Sequence, residues 1–425
     1  MTRRDLLKST GAAAALVLAG CGGRPLAAPR TGHSATPQPL AIAGFSPPDS
    51  VRAAVVGEFK RVAPGIPLEF PETVANQYVL DAVSGQLPQE YSLLPDLKAL
   101  NFDPAVLLSG LRSAGTGKTT RAGLPTRLLP TMVAYNTAAF AAAGIPKPAA
   151  DWTYNDFLEV CATLQGAIKA GKLDGAGVSQ VLSGTILQPT GYNAWFWEAF
   201  VLGFGGQVFE NGVFVLDDGD ATWGLTEFAS LVRGYALPLV FGTPPPGTPL
   251  TVPYSPQAAM AFTQLSPWGF DPPAGKSGRP EVARRAYARF PRLPVQPVVL
   301  ADTLMRAVHR VGKATEPVAP VIAAAARYLT WRLQPPQQSL FANVGIPPVG
   351  GDPALHAAFW PLHGMDIAPG DIFVAGWAWP TLSQMAGVDM LLQKATSDPG
   401  ALSQGLHQAT QTLNAALAAR TAAAG

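Results

Sequence analysis

The chain has 425 residues, a formal net charge of +2 and only 14% charged residues, against roughly 25% in an average soluble protein. No basic patch stands out, which excludes nucleic acid as a partner. Proline (42) and glycine (43) are abundant, but 48% of residues are hydrophobic, with 9 Trp and 19 Phe, so disorder is excluded in favour of many short elements joined by Pro/Gly turns.

In chain order, the first signal is an export address. Met1–Lys8 is basic, residues 11–20 are small and apolar, and Leu18-Ala19-Gly20-Cys21 closes the segment. The apolar stretch is too short to span a bilayer, which needs roughly 20 apolar residues. Thr2-Arg3-Arg4-Asp5-Leu6-Leu7-Lys8 resembles a twin-arginine signal, and Leu18 to Cys21 resembles a bacterial lipobox, in which Cys21 is lipidated. The expectation is a signal peptide over residues 1–20, a lipid anchor at Cys21, a flexible Pro-rich tether over 21–39 and an extracytoplasmic protein tethered to the membrane. Cys161 is then the one remaining cysteine, so the exported chain has no internal disulfide and depends on a large core.

After the tether, Leu40 to Phe45 suits a buried strand. Ser50 to Val62 places Val51, Val55, Phe59 and Val62 on one helical face, and Ile66 to Phe70 reads as a second strand. Strand, helix, strand predicts a parallel α/β sheet. Thr153 is the predicted N-cap of a helix with Asp156 reaching back, running to about Ala170 and stopping at Gly171. Pro317 to Gln334 is a further predicted helix, ended by Pro335-Pro336, and Leu402 to Ala419 is the last.

Signals for chemistry fail on inspection. Gly117-Lys118-Thr119-Thr120 lacks the upstream glycine of a phosphate-binding loop, since Arg112 stands there. None of the five histidines forms a metal motif, and Pro361 argues against a shared helical face for His356 and His363. There is no nucleophile elbow, and Cys161 sits among apolar residues as a buried structural thiol. No enzyme activity, metal or cofactor is expected. What remains is aromatic: Trp195-Phe196-Trp197, Trp268 and Trp377-Ala378-Trp379 lie beside Gly or Pro, and a flat indole suits the CH-rich face of a sugar. Core packing is the competing reading for any one of these, and Trp331 is assigned to the core.

Several segments together resemble the extracellular solute-binding proteins of bacterial ABC importers, in the branch related to maltose-binding protein. They are Phe59 to Ile66, Pro95-Asp96-Leu97, Gly123-Leu124-Pro125 with Ala134-Tyr135-Asn136, and Ala143 to Phe157. Further on come Phe204 to Gly212, Gln257 to Met260 followed by Trp268, Ala325 to Thr330 and Gly345 to Val349. The resemblance covers Leu40 to Leu417. It departs from the family at Gln257, where a lysine is usual, and at Trp152-Thr153, which inverts the usual order.

The resemblance implies an α/β, two-lobed periplasmic-binding-protein fold of type II. Lobe 1 is expected over 40–136 plus 298–344 and lobe 2 over 137–297 plus 345–425, with three hinge crossings near Asn136, Val298 and Val344. It implies a monomer that closes on a small solute and delivers it to a membrane permease and its ATPase. By position it points to Trp195, Trp268, Trp377 and Trp379 as ring contacts, and to Asp103, Arg127 and Ser46 as polar contacts. A sugar or short oligosaccharide is the expected ligand; the alternatives are a glycerophosphodiester or other polar solute, or a role as an anchored ligand sensor.

Overall fold

The computed structural model describes residues 39–43, 49–71, 73, 75–83, 92–93, 124–183, 194–236, 257–264, 285–295, 299–315, 317–343, 346–350, 352–362, 372–374 and 382–423. The expected signal peptide, Cys21 and the expected tether up to Gln38 lie outside them, as do Gly117 to Thr120, His33 and His363.

The chain enters through β1 (Leu40–Ala41), α1 (Asp49–Val62) and β2 (Leu68–Glu69). β1 and β2 pair in parallel, as the strand–helix–strand reading predicts. α1 buries Val51, Val55 and Phe59, but the fourth expected face residue, Val62, is 64% exposed. Ala63, a further four residues beyond Phe59, is buried instead, because the inward stripe continues at i+4.

One sheet of eight strands organises the described residues. Its strands are β3 (Tyr78–Val83), β4 (Ser92–Leu93), β5 (Leu124–Asn136), β6 (Gln180–Leu182), β9 (Ala258–Gln264), β10 (Arg285–Arg289), β11 (Val299–Arg310) and β12 (Ile372–Val374). A hairpin of β7 (Phe209–Glu210) and β8 (Val213–Phe214) stands apart from it. The main path runs β12-β11-β5-β9-β6, with β10 also on β5 and with β3 and β4 on β11. Only the β11–β12 and β6–β9 pairs are parallel in this sheet. The rest is antiparallel, so the parallel expectation holds for the first unit and not for the centre.

The helices after α1 are α2 (Thr137–Ala143), α3 (Tyr154–Lys169), α4 (Ala194–Gly203), α5 (Gly219–Tyr235), α6 (Val318–Arg332), α7 (Pro335–Ala342), α8 (Pro353–Leu362), α9 (Leu382–Ser397) and α10 (Ala401–Ala423). Asn136 ends β5 and caps α2, its Oδ1 accepting from the amides of Ala138 and Ala139 at 3.0 and 3.1 Å. The capping box at Thr153 forms as expected, and α3 stops before Gly171, whose φ of 69° suits glycine. Pro335-Pro336 ends α6 but also starts α7, because proline fits the first helical turn, where its missing N–H would be unpaired anyway. Pro361 lies inside α8 as its penultimate residue, and the helix ends one position later.

Two large hydrophobic cores flank the sheet. The smaller holds Leu40, Val55, Phe59, Leu80, Val308, Leu329, Trp331 and Ile346, with the Phe59 ring edge-on to Tyr328 and Trp331 at 5.5 and 5.4 Å. The larger holds α3, α4 and α5 and is centred on Phe200. Its ring meets those of Tyr154, Phe228, Phe262 and Phe290 between 5.2 and 6.1 Å.

Candidate functional site

The chain passes between the two cores three times among the described residues. The first passage lies within β5. Its first half, Leu124 to Pro130, pairs with β11, while its second half lies between β9 and β10 and carries Val133 and Tyr135 into the larger core. β5 changes neighbours just after Pro130, which faces Ala301 at the end of the β11 ladder and has no N–H to donate. The sequence reading places the first crossing near Asn136, the last residue of this same strand. The second passage runs from Leu293, in the larger core, to Val308, in the smaller. The third runs from Ile346 to Val388 by way of α8. On α8, Leu355, Phe359 and Trp360 pack with Met132 and Ala342, against the half-buried Tyr287, in a junction cluster.

Register along β5 slips at Thr126: Leu304 faces Arg127 while Met305 faces Pro125. A bulge of this kind leaves a carbonyl outside the ladder and re-aims the following residue. The Thr126 carbonyl accepts from the buried guanidinium of Arg332 at 3.2 Å, and that guanidinium lies over the Phe341 ring at 3.4 Å. Arg127, the predicted polar contact, is therefore a β5 residue one step past a bulge that Arg332 holds in place. Its side chain lies outside the described residues.

Trp195 is the second residue of α4, and its side chain is likewise outside the described residues. Trp268, Trp377, Trp379, Asp103 and Ser46 lie wholly outside them, so the proposed contacts are not brought together here. Their neighbours are placed. Phe196 and Trp197 are buried in the larger core, and Trp197 Nε1 donates to the buried carboxylate of Asp389 on α9 at 3.1 Å. Two elements near the predicted ring contacts are thus tied by one hydrogen bond. Trp331 is core, as expected. Trp152 is also buried, donating through Nε1 to the Arg289 carbonyl at 2.8 Å.

The remaining chemical candidates resolve as structural groups. Cys161 is buried on α3, and burial pushes its thiol far above the usual range, away from nucleophilic use. His356 is buried against the Gly350 carbonyl, and His407 pairs at the surface with Asp217 at 2.6 Å. Among the described residues no three His, Cys, Asp or Glu side chains gather as a metal site, and no helix is long and apolar enough to cross a membrane. Sequence reasoning missed the buried polar residues Arg332, Gln338 and Asp389. Their partners are backbone carbonyls, amides and an indole on other elements, and no motif announces such pairs.

The architecture matches solved two-lobed binding proteins of type II. The cyclic α-maltosyl-1,6-maltose binding protein of Arthrobacter globiformis aligns with a TM-score of 0.65 at 16% identity, over 90% of this chain and 99% of that one. The sugar-binding protein MalE of Xanthomonas citri aligns at 0.64 and 12% identity, over 90% and 98%. UgpB of Mycobacterium tuberculosis, solved with glycerophosphocholine, aligns at 0.62 and 14% identity, over 90% and 99%. No curated protein matches in sequence. The sequence profile of the bacterial extracellular solute-binding proteins matches residues 48–279, more than half of the chain, and the protein belongs to that family.

Proposed function

We propose that this protein is the lipid-anchored, substrate-binding component of an ABC importer and that it captures a sugar or short oligosaccharide by closing two lobes. The observation that carries the reading is the pair of cores joined through one shared sheet and three chain passages. A solute that touches both lobes binds the closed form better and so draws the hinge shut. Rings supply contact area on such a solute, and a few polar groups fix its orientation. Trp195 at the start of an apolar helix, Trp268, and Trp377 or Trp379 are the proposed rings; Asp103, Arg127 and Ser46 are the proposed polar contacts. Cys21 is the proposed anchor, with residues 1–20 removed on export. The carbohydrate-binding neighbours from A. globiformis and X. citri favour a sugar.

A thermal-shift screen of the purified protein tests this. A bound solute raises the melting temperature by mass action. Maltose or a longer malto-oligosaccharide is expected to raise it, and Trp268→Ala to abolish the shift. The second reading, a glycerophosphodiester ligand, draws support from the similar likeness to the glycerophosphocholine complex. It predicts a shift with glycerophosphocholine that Arg127→Ala removes and Trp268→Ala leaves intact.

A further inference from the structure

The third passage between the cores is held by two buried polar side chains. Gln338 on α7 accepts through Oε1 from the amides of Val349 and Gly350, at 2.9 and 2.7 Å, and donates through Nε2 to the Leu333 carbonyl at 2.6 Å. His356 on α8 hydrogen-bonds through Nε2 to the Gly350 carbonyl. Gly350 is thus gripped at its N–H by one element and at its carbonyl by another. The grip is tight, since a Cβ on Gly350 would stand 2.6 Å from Gln338 Nε2. Pro347 and Pro348 stiffen the segment just before it.

The buried setting favours a neutral imidazole. A carbonyl accepts, so Nε2 carries the proton, and Nδ1 is left as a bare acceptor. Nδ1 is buried with no hydrogen-bond partner among the described residues, as is Nε1 of Trp360, whose ring lies beside the imidazole at 6.4 Å between centroids. A second proton would sit on Nδ1 as a buried cationic N–H with no acceptor among the described residues, which is costly. Burial accordingly holds the His356 pKa below the ordinary histidine value, against the Gly350 hydrogen bond and the nearby Asp352 carboxylate. Among the described residues, the elements packed around it offer no further acid: α7 carries no charged residue, and β10 brings Arg285 and Arg289 on the same face as Tyr287.

We propose that Gln338 and His356 form a brace that fixes one hinge crossing, and that the brace loosens on acidification, so that lobe closure and solute capture weaken at low pH. A loosened crossing has more freedom to lose when the lobes close, so the closed form becomes less populated. The site of closure rests on the function proposed above; the brace itself does not.

The test uses the full chain and the variant His356→Gln, whose amide can still donate to Gly350 but does not titrate. Hydrogen exchange is read at the amides of Val349 and Gly350, corrected for the intrinsic effect of pH. From about pH 7.5 to about pH 5 the wild type is expected to lose protection there by roughly tenfold, while His356→Gln stays level. Maltose affinity is expected to fall by a similar factor in the wild type only. Equal pH dependence in both proteins, or none in either, overturns the brace. If maltose binds at neither pH while exchange behaves as stated, the carbohydrate reading fails and the brace stands.

Discussion

At Thr153 one hydroxyl and a carboxylate three residues on set where α3 begins. Thr153 Oγ1 accepts from the Asp156 amide at 3.2 Å, and Asp156 Oδ2 accepts from the Thr153 amide and hydroxyl at 2.7 Å each. Thr153→Ala is expected to destabilise the protein by about 1 kcal/mol in urea unfolding at neutral pH. The Asp156 carboxyl is held below its ordinary value, first by the Thr153 backbone bond and then by the hydroxyl. A depressed carboxyl stabilises the fold above the unfolded pKa of about 3.9, and that help is lost as pH falls through the lower folded value. The cost of Asp156→Ala should therefore shrink below about pH 4; a cost that stays constant there would mean the carboxylate plays no part.

Helices α4 and α5 share the Phe200–Phe228 ring contact, and beside it their backbones meet at a glycine. A Cβ on Gly224 would stand 2.6 Å from the Phe200 carbonyl oxygen and 2.7 Å from Val201 Cα, so the two backbones touch. Gly206 is similarly close to the Ala221 backbone, at 2.5 Å from its nitrogen. Gly224→Ala should force α4 and α5 apart and cost about 1–3 kcal/mol, measured by thermal or urea unfolding. Gly234→Ala, on the same helix with open space around it, should be neutral or stabilise by up to about 1 kcal/mol. Equal effects at the two positions would contradict the close-packing account.

Local signals of this kind made much of the fold legible. The cap at Thr153, the αL glycine at 171 and the i, i+4 stripe of α1 each depend on neighbours within a few residues. What the sequence could not carry was pairing at a distance. The antiparallel centre of the sheet joins β5 to β9, β10 and β11 across long separations, and the bulge at Thr126 is completed by Arg332 from another element. Pro335-Pro336 was legible as a stop but not as a start, since the same residue chemistry serves both. For the candidate site the sequence offered residue types in family positions. Trp195 and Arg127 find a place on α4 and β5, and Trp268, Trp377, Trp379, Asp103 and Ser46 lie outside the described residues.

Across the whole molecule, the proposed function depends on motion between two cores. Each is rich in packed rings and stiff on its own. In the proposed closure, bending is concentrated where the chain passes between them, in mid-β5, along β11 and through Ile346 to Gly350. Small-angle scattering of the protein with and without a saturating malto-oligosaccharide tests this most directly. The account predicts a saturable contraction with one solute bound per chain. Tight binding with an unchanged scattering curve would contradict closure, and the absence of any carbohydrate response would contradict the proposed ligand.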